Sequence, residues 1–434
     1  MQIQSIMSTK KYFSSLISLC IFFCILFVFN LEAGAQNNII FSGRIFDNVT
    51  NQPLPFVTVE IRKSGTGVIT NEFGEFKYHI PQGFENDKVQ ITSIGYKKIQ
   101  LNVSEIESEV LTIYKLDPVV QQLPEVEIKA IKGTPAIVIV NRAIRNIRKN
   151  YPNEKTLLYG YYRDYISPIS KNNYKNLTEA AIIIEDKGFN RNDYERTKIM
   201  LEQLRFNPEI EIDSSLNMGY DGKNKYIPNA NIKGKNELSI LRMHDPIRNH
   251  AIKTFSFVDI FDSQFAYNHK FTYESITPVD SYTIYCINFE THKQNFLSTS
   301  EYWVKGQIYI QSKTYAILKF NYSVDCSLPS YKGKFFDLKL EYKNFNDKYY
   351  LNYLSLMNYF EFKNPTSADS VSTNAESYYQ FRELFINKIV NKPFESLQPE
   401  ETLNKDSSLL INKVPVQVGF WDNYNYTSHV NLLQ

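Results

Sequence analysis

"GTGVITNEFGEFKYHI", Gly65–Ile80, packs two reversals and an alternating strand into one short stretch. Gly65 and Gly67 tolerate the positive φ that a tight reversal requires. Thr70-Asn71 opens a second turn and Gly74 closes it. Phe76, Tyr78 and Ile80 then fall on one face. Upstream, "FVTVEIRK" (Phe56–Lys63) sets Val57, Val59 and Ile61 against Phe56, Thr58, Glu60 and Arg62, so one side is buried. "IIFSGRIFD" (Ile39–Asp47) is extended, and "NVTNQPLP" (Asn48–Pro55) is rich in turn formers. Downstream, "DKVQITSIGYKKIQLNV" (Asp87–Val103) supplies two strands around Gly95, and "EVLTIYKL" (Glu109–Leu116) supplies one more. About seven short strands between residues 38 and 116 are the pattern of a β-sandwich.

These residues also carry a resemblance. Gly43, Asp47, Thr50 and Pro53-Leu54-Pro55, then Val57-x-Val59, Gly65-Thr66-Gly67, Thr70-Asn71 with Gly74-x-Phe76, and Ser93-Ile94-Gly95-Tyr96 resemble the carboxypeptidase regulatory-like domain. The resemblance implies a seven-stranded, prealbumin-like sandwich. In envelope proteins of Bacteroidetes type it forms an N-terminal extension, including ahead of TonB-dependent receptors. "LPEVEIKA" (Leu123–Ala130) resembles the linker that follows it there. The rest of the chain is too short for such a receptor's barrel of about 22 strands with its plug.

The regulatory-like sandwich is not the peptidase. A zinc carboxypeptidase needs His and Glu on one turn, a further His and a general base. The histidines are His79, His244, His250, His269, His292 and His429, and none has Glu three residues later. His244-Asp245 with His250 comes nearest to a ligand pair; surface or satisfied loop histidines are the favoured reading. No serine-hydrolase, P-loop or dinucleotide motif occurs either. The expectation is a chain without catalytic residues, metal ligands or a bound cofactor.

At 434 residues the chain has room for two or three domains, and 43% hydrophobic residues suit folded protein. With 31 Tyr and 30 Phe against 2 Trp, the bulk should be strand. A formal charge of +2 gives no electrostatic case for nucleic acid. Residues 1–35 read as a signal peptide: Lys10 and Lys11, the apolar run Tyr12–Phe29, then Ala33-Gly34-Ala35, with Ala33 and Ala35 marking the cleavage site. Leu19-Cys20 and Phe23-Cys24 do not fit lipoprotein processing. No later stretch is long and apolar enough to span a bilayer as a helix. The expected location is the periplasm, or the outer membrane or cell surface. Cys286 and Cys326 remain, either as one disulfide or as two buried thiols in strands that simple pairing does not bring together.

Residues 117–132 read as a linker with Pro118 and Pro124, and 133–426 as a second domain. "GTPAIVIVNRAIRNIRKNYP" (Gly133–Pro152) is a helix, with Thr134 as N-cap, Pro135 in the first turn and an apolar stripe of Ile137, Val140, Ile144 and Ile147. "TLLYGYYRDYI" and "LTEAAIIIED" read as strands. Residues 191–259 read as loops with short helices. From Phe271 a meander is plain, with Tyr302, Val304, Ile308 and Ile310 on one face and Trp303, Lys305, Gln307 and Tyr309 on the other. Gln311-Ser312-Lys313 and Asn346-Asp347 mark hairpin loops. "GQIYIQSKTYAI" (Gly306–Ile317) resembles the half-barrel of periplasmic lipoprotein carriers. The expected fold is mainly β: an N-terminal prealbumin-like sandwich, then a larger, curved antiparallel sheet with one or more packed helices. The expected role is an exported envelope protein that binds lipid or glycan. A hydrolase without a recognisable motif and a structural partner of an outer-membrane receptor are the alternatives. What fills the inner sheet face would discriminate: an apolar cavity favours lipid, a packed helix favours the surface.

Overall fold

The computed structural model describes residues 39–119, 133–170, 174–190, 197–213, 236–252, 261–279, 282–294, 301–327, 331–362, 376–404, 407–412 and 414–426. The signal segment with Ala33 and Ala35, "LPEVEIKA" and His429 lie outside the described residues.

Seven strands build the sandwich: β1 (Ile40–Asp47), β2 (Thr58–Ile61), β3 (Thr66–Ile69), β4 (Glu75–His79), β5 (Lys88–Thr92), β6 (Ile99–Asn102) and β7 (Leu111–Leu116). One layer has the order β4-β1-β7, with β1 antiparallel to β4 and parallel to β7. The other has the order β3-β2-β5-β6. Phe41, Ile45, Val57, Val59, Ile61, Phe76 and Tyr78 are buried, as the alternation requires. The Asn71 turn forms through its side chain: Oδ1 accepts from Phe73 N at 3.0 Å and Glu75 N at 2.9 Å, and Gly74 takes φ +76°.

The larger sheet contains β8 (Thr156–Pro168), β9 (Lys175–Asp186), β10 (Lys198–Phe206), β11 (Lys270–Val279), β12 (Tyr282–Gln294), β13 (Glu301–Gln311), β14 (Ile317–Ser327), β15 (Lys332–Phe345), β16 (Lys348–Phe362) and β17 (Glu376–Val390). Its order is β10-β9-β8-β17-β16-β15-β14-β13-β12-β11, antiparallel throughout. Two meanders are therefore zipped together through β8 and β17, and the sheet curls as a half-barrel. The β15–β16 hairpin turns on Asn346 (φ 49°) and Asp347 (φ 61°). Two consecutive left-handed residues are the signature of the type I′ turn that matches strand twist.

The inner face of this sheet carries one large core. Val304, Ile308, Ile310, Phe320, Tyr322, Leu338, Leu340, Leu354 and Leu384 belong to it, with α1 (Ala136–Arg145), α2 (Ile147–Asn150), α3 (Glu237–Met243) and α4 (Ser263–Asn268) packed in. Gly306 shows how tight the packing is. A Cβ there would lie 2.2 Å from the Phe289 ring and 2.1 Å from Asn321 O, so the aromatic ring uses the room left by the missing side chain.

Three details differ from the sequence reading. The helix begins at Ala136 with Pro135 at the cap position, one residue too late for Thr134 to cap it. Its buried residues are Ala136, Ile139, Val140 and Ala143, and Ile147 follows after a break at Asn146, whereas Ile137 is 37% exposed. Two apolar stripes compete on this helix, and the sheet covers the one through Ile139. Finally, β10 forms inside the stretch read as loops. Its Leu, Glu, Gln and Arg favour helix, and a bulge between Leu201 and Gln203 breaks the apolar alternation; Gln203 Nε2 donates to Pro415 O at 2.7 Å.

The opening stretch joins the two bodies. Thr66 of β3 pairs with Lys388 of β17, and Ile389 N donates to Gly65 O at 3.0 Å. Gly65 has φ +69°, and a Cβ on it would sit 2.9 Å from Ile389 O, so this close approach needs glycine. A second strap comes from "FWDNYN" (Phe420–Asn425). Asn425 Oδ1 accepts from His79 N at 2.8 Å, and Tyr424 OH donates to Gly160 O at 2.7 Å.

Candidate functional site

The nearest thing to the sequence's histidine pair is a buried polar knot, not an open site. His244 sits in the turn after α3 and is fully buried, a satisfied turn histidine rather than a surface one. Its Nδ1 meets Ile240 O at 2.7 Å, and burial depresses its pKa to about 4. Burial pushes the neighbouring Asp245 carboxyl up to about 6, against hydrogen bonds from Arg248 N and the Tyr342 hydroxyl. Burial would also raise Asp186. The guanidiniums of Arg248 and Arg242 outweigh it and hold that carboxyl well below the ordinary carboxylate range. The knot ties α3 and the turn after it to the end of β9. The cavity beside it measures about 20 Å³, too little for a substrate. His250 is half-buried and bonds Ile247 O, and His269 is buried against Phe265. His79 and His292 sit in β4 and β12, well apart in sequence and sheet. Among the described residues no three His, Cys, Asp or Glu side chains cluster in a metal-competent group. Cys286 on β12 and Cys326 on β14 are buried free thiols with β13 between them, so no bridge forms.

The open space lies on the other face of the sheet, beneath the sandwich. A cleft of about 1200 Å³ is walled by β2 and β5 and the Gly95 turn on one side and by β12 to β16 on the other. That exceeds the roughly 300–1,000 Å³ usual for a small-molecule site. Phe56, Tyr96, Tyr282, Tyr309 and Tyr349 line it. Two ion pairs line it, Lys319 Nζ 2.5 Å from Glu341 Oε1 and Lys343 Nζ 3.9 Å from Glu60 Oε2, while Arg62, Lys97 and Lys98 against Asp347 leave the lining net positive. Burial raises the Glu60 pKa and lowers that of Lys343, each against the pull of its partner. The pair links sandwich to sheet, as do Arg62 Nη2 to Asn344 Oδ1 at 3.1 Å and Asn352 Nδ2 to Thr58 Oγ1 at 3.1 Å.

The sequence placed the alternation that makes this face but not the cleft itself. Phe56 in the turn before β2, Tyr309 on β13 and Lys343 on β15 are far apart in the chain, and only the sheet register and the β3–β17 join bring them together. One local signal existed: a Phe directly after the turn formers Pro53-Leu54-Pro55, where the chain reverses into β2.

Residues 41–128 match the family model of the CarboxypepD_reg-like domain, which agrees with the seven strands seen here and their motif residues. No curated protein matches the chain. Similar solved structures include a DUF1329 family protein from Desulfovibrio piger, 11% identical, covering 60% of this chain and 95% of that one, with a TM-score of 0.24. A lipovitellin structure is 10% identical over 57% of this chain and 26% of that one, with a TM-score of 0.20. A membrane-associated protein of unknown function from Bacteroides fragilis is 9% identical over 81% and 96%, with a TM-score of 0.15. At TM-scores this low, these likenesses decide nothing about ligand or activity. No helix among the described residues is long and apolar enough to cross a membrane.

Proposed function

We propose that this is an exported cell-envelope protein that binds a glycan, without catalysis, in the cleft between the sandwich and the outer face of the curled sheet. The observation that carries the reading is the cleft's size and its two walls, one from each β body. Its lining suits an extended polar ligand. Tyrosines offer flat apolar faces with a hydroxyl at the rim, and Lys97 and Lys98 of the Gly95 turn bring hydrogen-bond donors for hydroxyl oxygens. The inner face of the sheet, where an acyl chain would lie, is packed by α1, α3 and α4 in the described residues. Export rests on the leader pattern of residues 1–35.

The test is a thermal-shift and calorimetric panel of soluble oligosaccharides beside phospholipid and fatty-acid arms. An oligosaccharide is expected to raise the melting temperature, and Tyr309→Ala is expected to weaken it by about tenfold, the cost of one aromatic contact. A response only to lipids would overturn the glycan reading. A catalytic second reading has one observation in its favour, the oppositely perturbed Glu60 and Lys343 at the cleft floor. Hydrolysis of any library glycan that Glu60→Gln abolishes would establish it; the proposal expects no turnover.

A further inference from the structure

Phe56 separates the large cleft from a smaller cavity of about 180 Å³. On the sandwich side this cavity is bounded by Phe56, Ile69 and the Asn71 turn, and on the sheet side by the outer faces of β8, β15, β16 and β17. It has room for several waters or one small ring.

Two features there are unusual. The first is Arg163 on β8, 7% exposed and bordering the cavity. Its Nε donates to Glu383 Oε2 at 2.8 Å and its Nη2 goes to the same oxygen, while the Tyr353 hydroxyl donates to Glu383 Oε1. Arg163 Nη1 is buried and has no hydrogen-bond partner. A buried cationic N–H left unmade is costly, and such donors call for an acceptor. The second is Phe56 itself, at φ +60°, a backbone region that bulky residues rarely enter. Thr70 holds it there: Thr70 O accepts from Phe56 N at 3.0 Å, and Thr70 Oγ1 accepts from Val57 N at 2.9 Å and donates to Leu54 O at 2.7 Å. The ring is thereby set against Tyr353, centroids 4.9 Å apart. Strain kept in place by its surroundings is found at ligand clamps.

The chemistry of the acceptor follows from the remaining walls. Tyr165 and Phe381 stack at 4.9 Å and 14°, giving an aromatic wall of ring edges and outer faces. Glu72, Asp337 and Glu383 border the cavity against only Arg163 and Lys339, so an anion is disfavoured. What fits is a ring with an apolar C–H face and an uncharged oxygen. We infer that this cavity is a subsite for a single neutral pyranose, its ring laid against the aromatic wall and a hydroxyl oxygen accepting from Arg163 Nη1 after a small turn of the guanidinium toward the cavity. The inference rests on the reading of the protein as a glycan binder and adds a position that the large cleft does not contain.

The experiment is saturation-transfer NMR and calorimetry on the full mature chain. The probes are the methyl pyranosides of glucose, galactose and mannose, with glucuronate as the anionic counterpart. At least one methyl pyranoside is expected to bind, and glucuronate to bind about tenfold more weakly. Ser355→Trp fills the cavity without cutting an ion pair and is expected to abolish binding. Arg163→Lys keeps a cation beside Glu383 but removes Nη1, and is expected to weaken binding by about tenfold or more. If Ser355→Trp does not fold, Arg163→Lys decides alone. Binding of no pyranoside, or binding indifferent to whichever of these variants folds, overturns the inference. Tyr309→Ala, which touches only the large cleft, separates the two readings. Oligosaccharide binding that depends on Tyr309, with no monosaccharide bound, leaves the cleft and removes the subsite. Monosaccharide binding that depends on Ser355, with no oligosaccharide bound, does the reverse.

Discussion

The same strands of the larger sheet present two unlike faces. On β15, Leu338, Leu340 and Tyr342 point into the core, while Asp337, Lys339, Glu341 and Lys343 point toward the sandwich. Among the described residues the inner face is packed by α1 to α4, whose apolar residues join its core. Among the described residues the outer face is covered by a second β body, which meets it through a strand end, hydrogen bonds, the Phe56–Tyr353 ring contact and the Glu60–Lys343 ion pair. Rigid, mixed-polarity layers do not interdigitate as a helix does with a sheet, so gaps remain, and those gaps are the candidate binding space.

This contrast can be broken at several points. The largest effect is expected from Phe320→Ala on the inner face, where Phe320 is fully buried against Phe261 and Phe289. Urea denaturation should show a loss of about 4 kcal/mol. Ser323→Ala, on the outer face of the same strand, should stay within about 0.5 kcal/mol. A comparable loss in both would mean that the two faces are packed alike.

The buried knot gives the next effect, read as pH dependence. His244 is neutral in the fold, with its pKa lowered from 6.5 to about 4, so its contribution is lost as pH falls through that window. Asp245 has the opposite sign. Its pKa is raised from 3.8 to about 6, so its contribution is present below the lower value and lost as pH rises through the upper one. The two nearly cancel between pH 4 and 6. Asp245→Asn removes the counterweight, and stability should then fall by about 3 kcal/mol more steeply over that range. Urea midpoints measured at a series of pH values would show it; parallel curves for both proteins would refute it.

Gly306→Ala should cost about 2 kcal/mol, because its Cβ would overlap the Phe289 ring. Phe289→Leu in the same chain should recover part of that loss, measured as a thermal midpoint. The smallest effect belongs to the outer face. Phe56→Gly relieves the φ +60° backbone while giving up the ring contact with Tyr353, so stability should change by less than about 1 kcal/mol. A large loss would show that Phe56 is a packing residue first.

How far the sequence was readable follows the same division. Period-two alternation marked β13 and the sandwich strands, and Asn346-Asp347 marked the β15–β16 turn, because each signal is local. Where two local preferences competed, reading failed. Helix formers and the bulge before Gln203 hid β10, and twin apolar stripes hid which side of α1 is buried. The Asp186–Arg242–Arg248 knot and the Phe56–Arg163 cavity were not readable at all. The knot joins α3 and the turn after it to the end of β9, and the cavity joins a turn of the sandwich to four strands of the sheet, so both exist only in the tertiary fold.

The parallel pairing of β1 with β7 has a mechanical consequence. The chain enters the sandwich at Ile40 and leaves at Leu116, which pairs beside Asp47 at the far end of β1. Entry and exit are therefore separated by the length of a strand, roughly 20 Å. A module wired this way cannot be spliced into a tight loop of a host. It can only be threaded in series, like a bead, and tension on the chain would load that strand pair in shear along its whole hydrogen-bonded length.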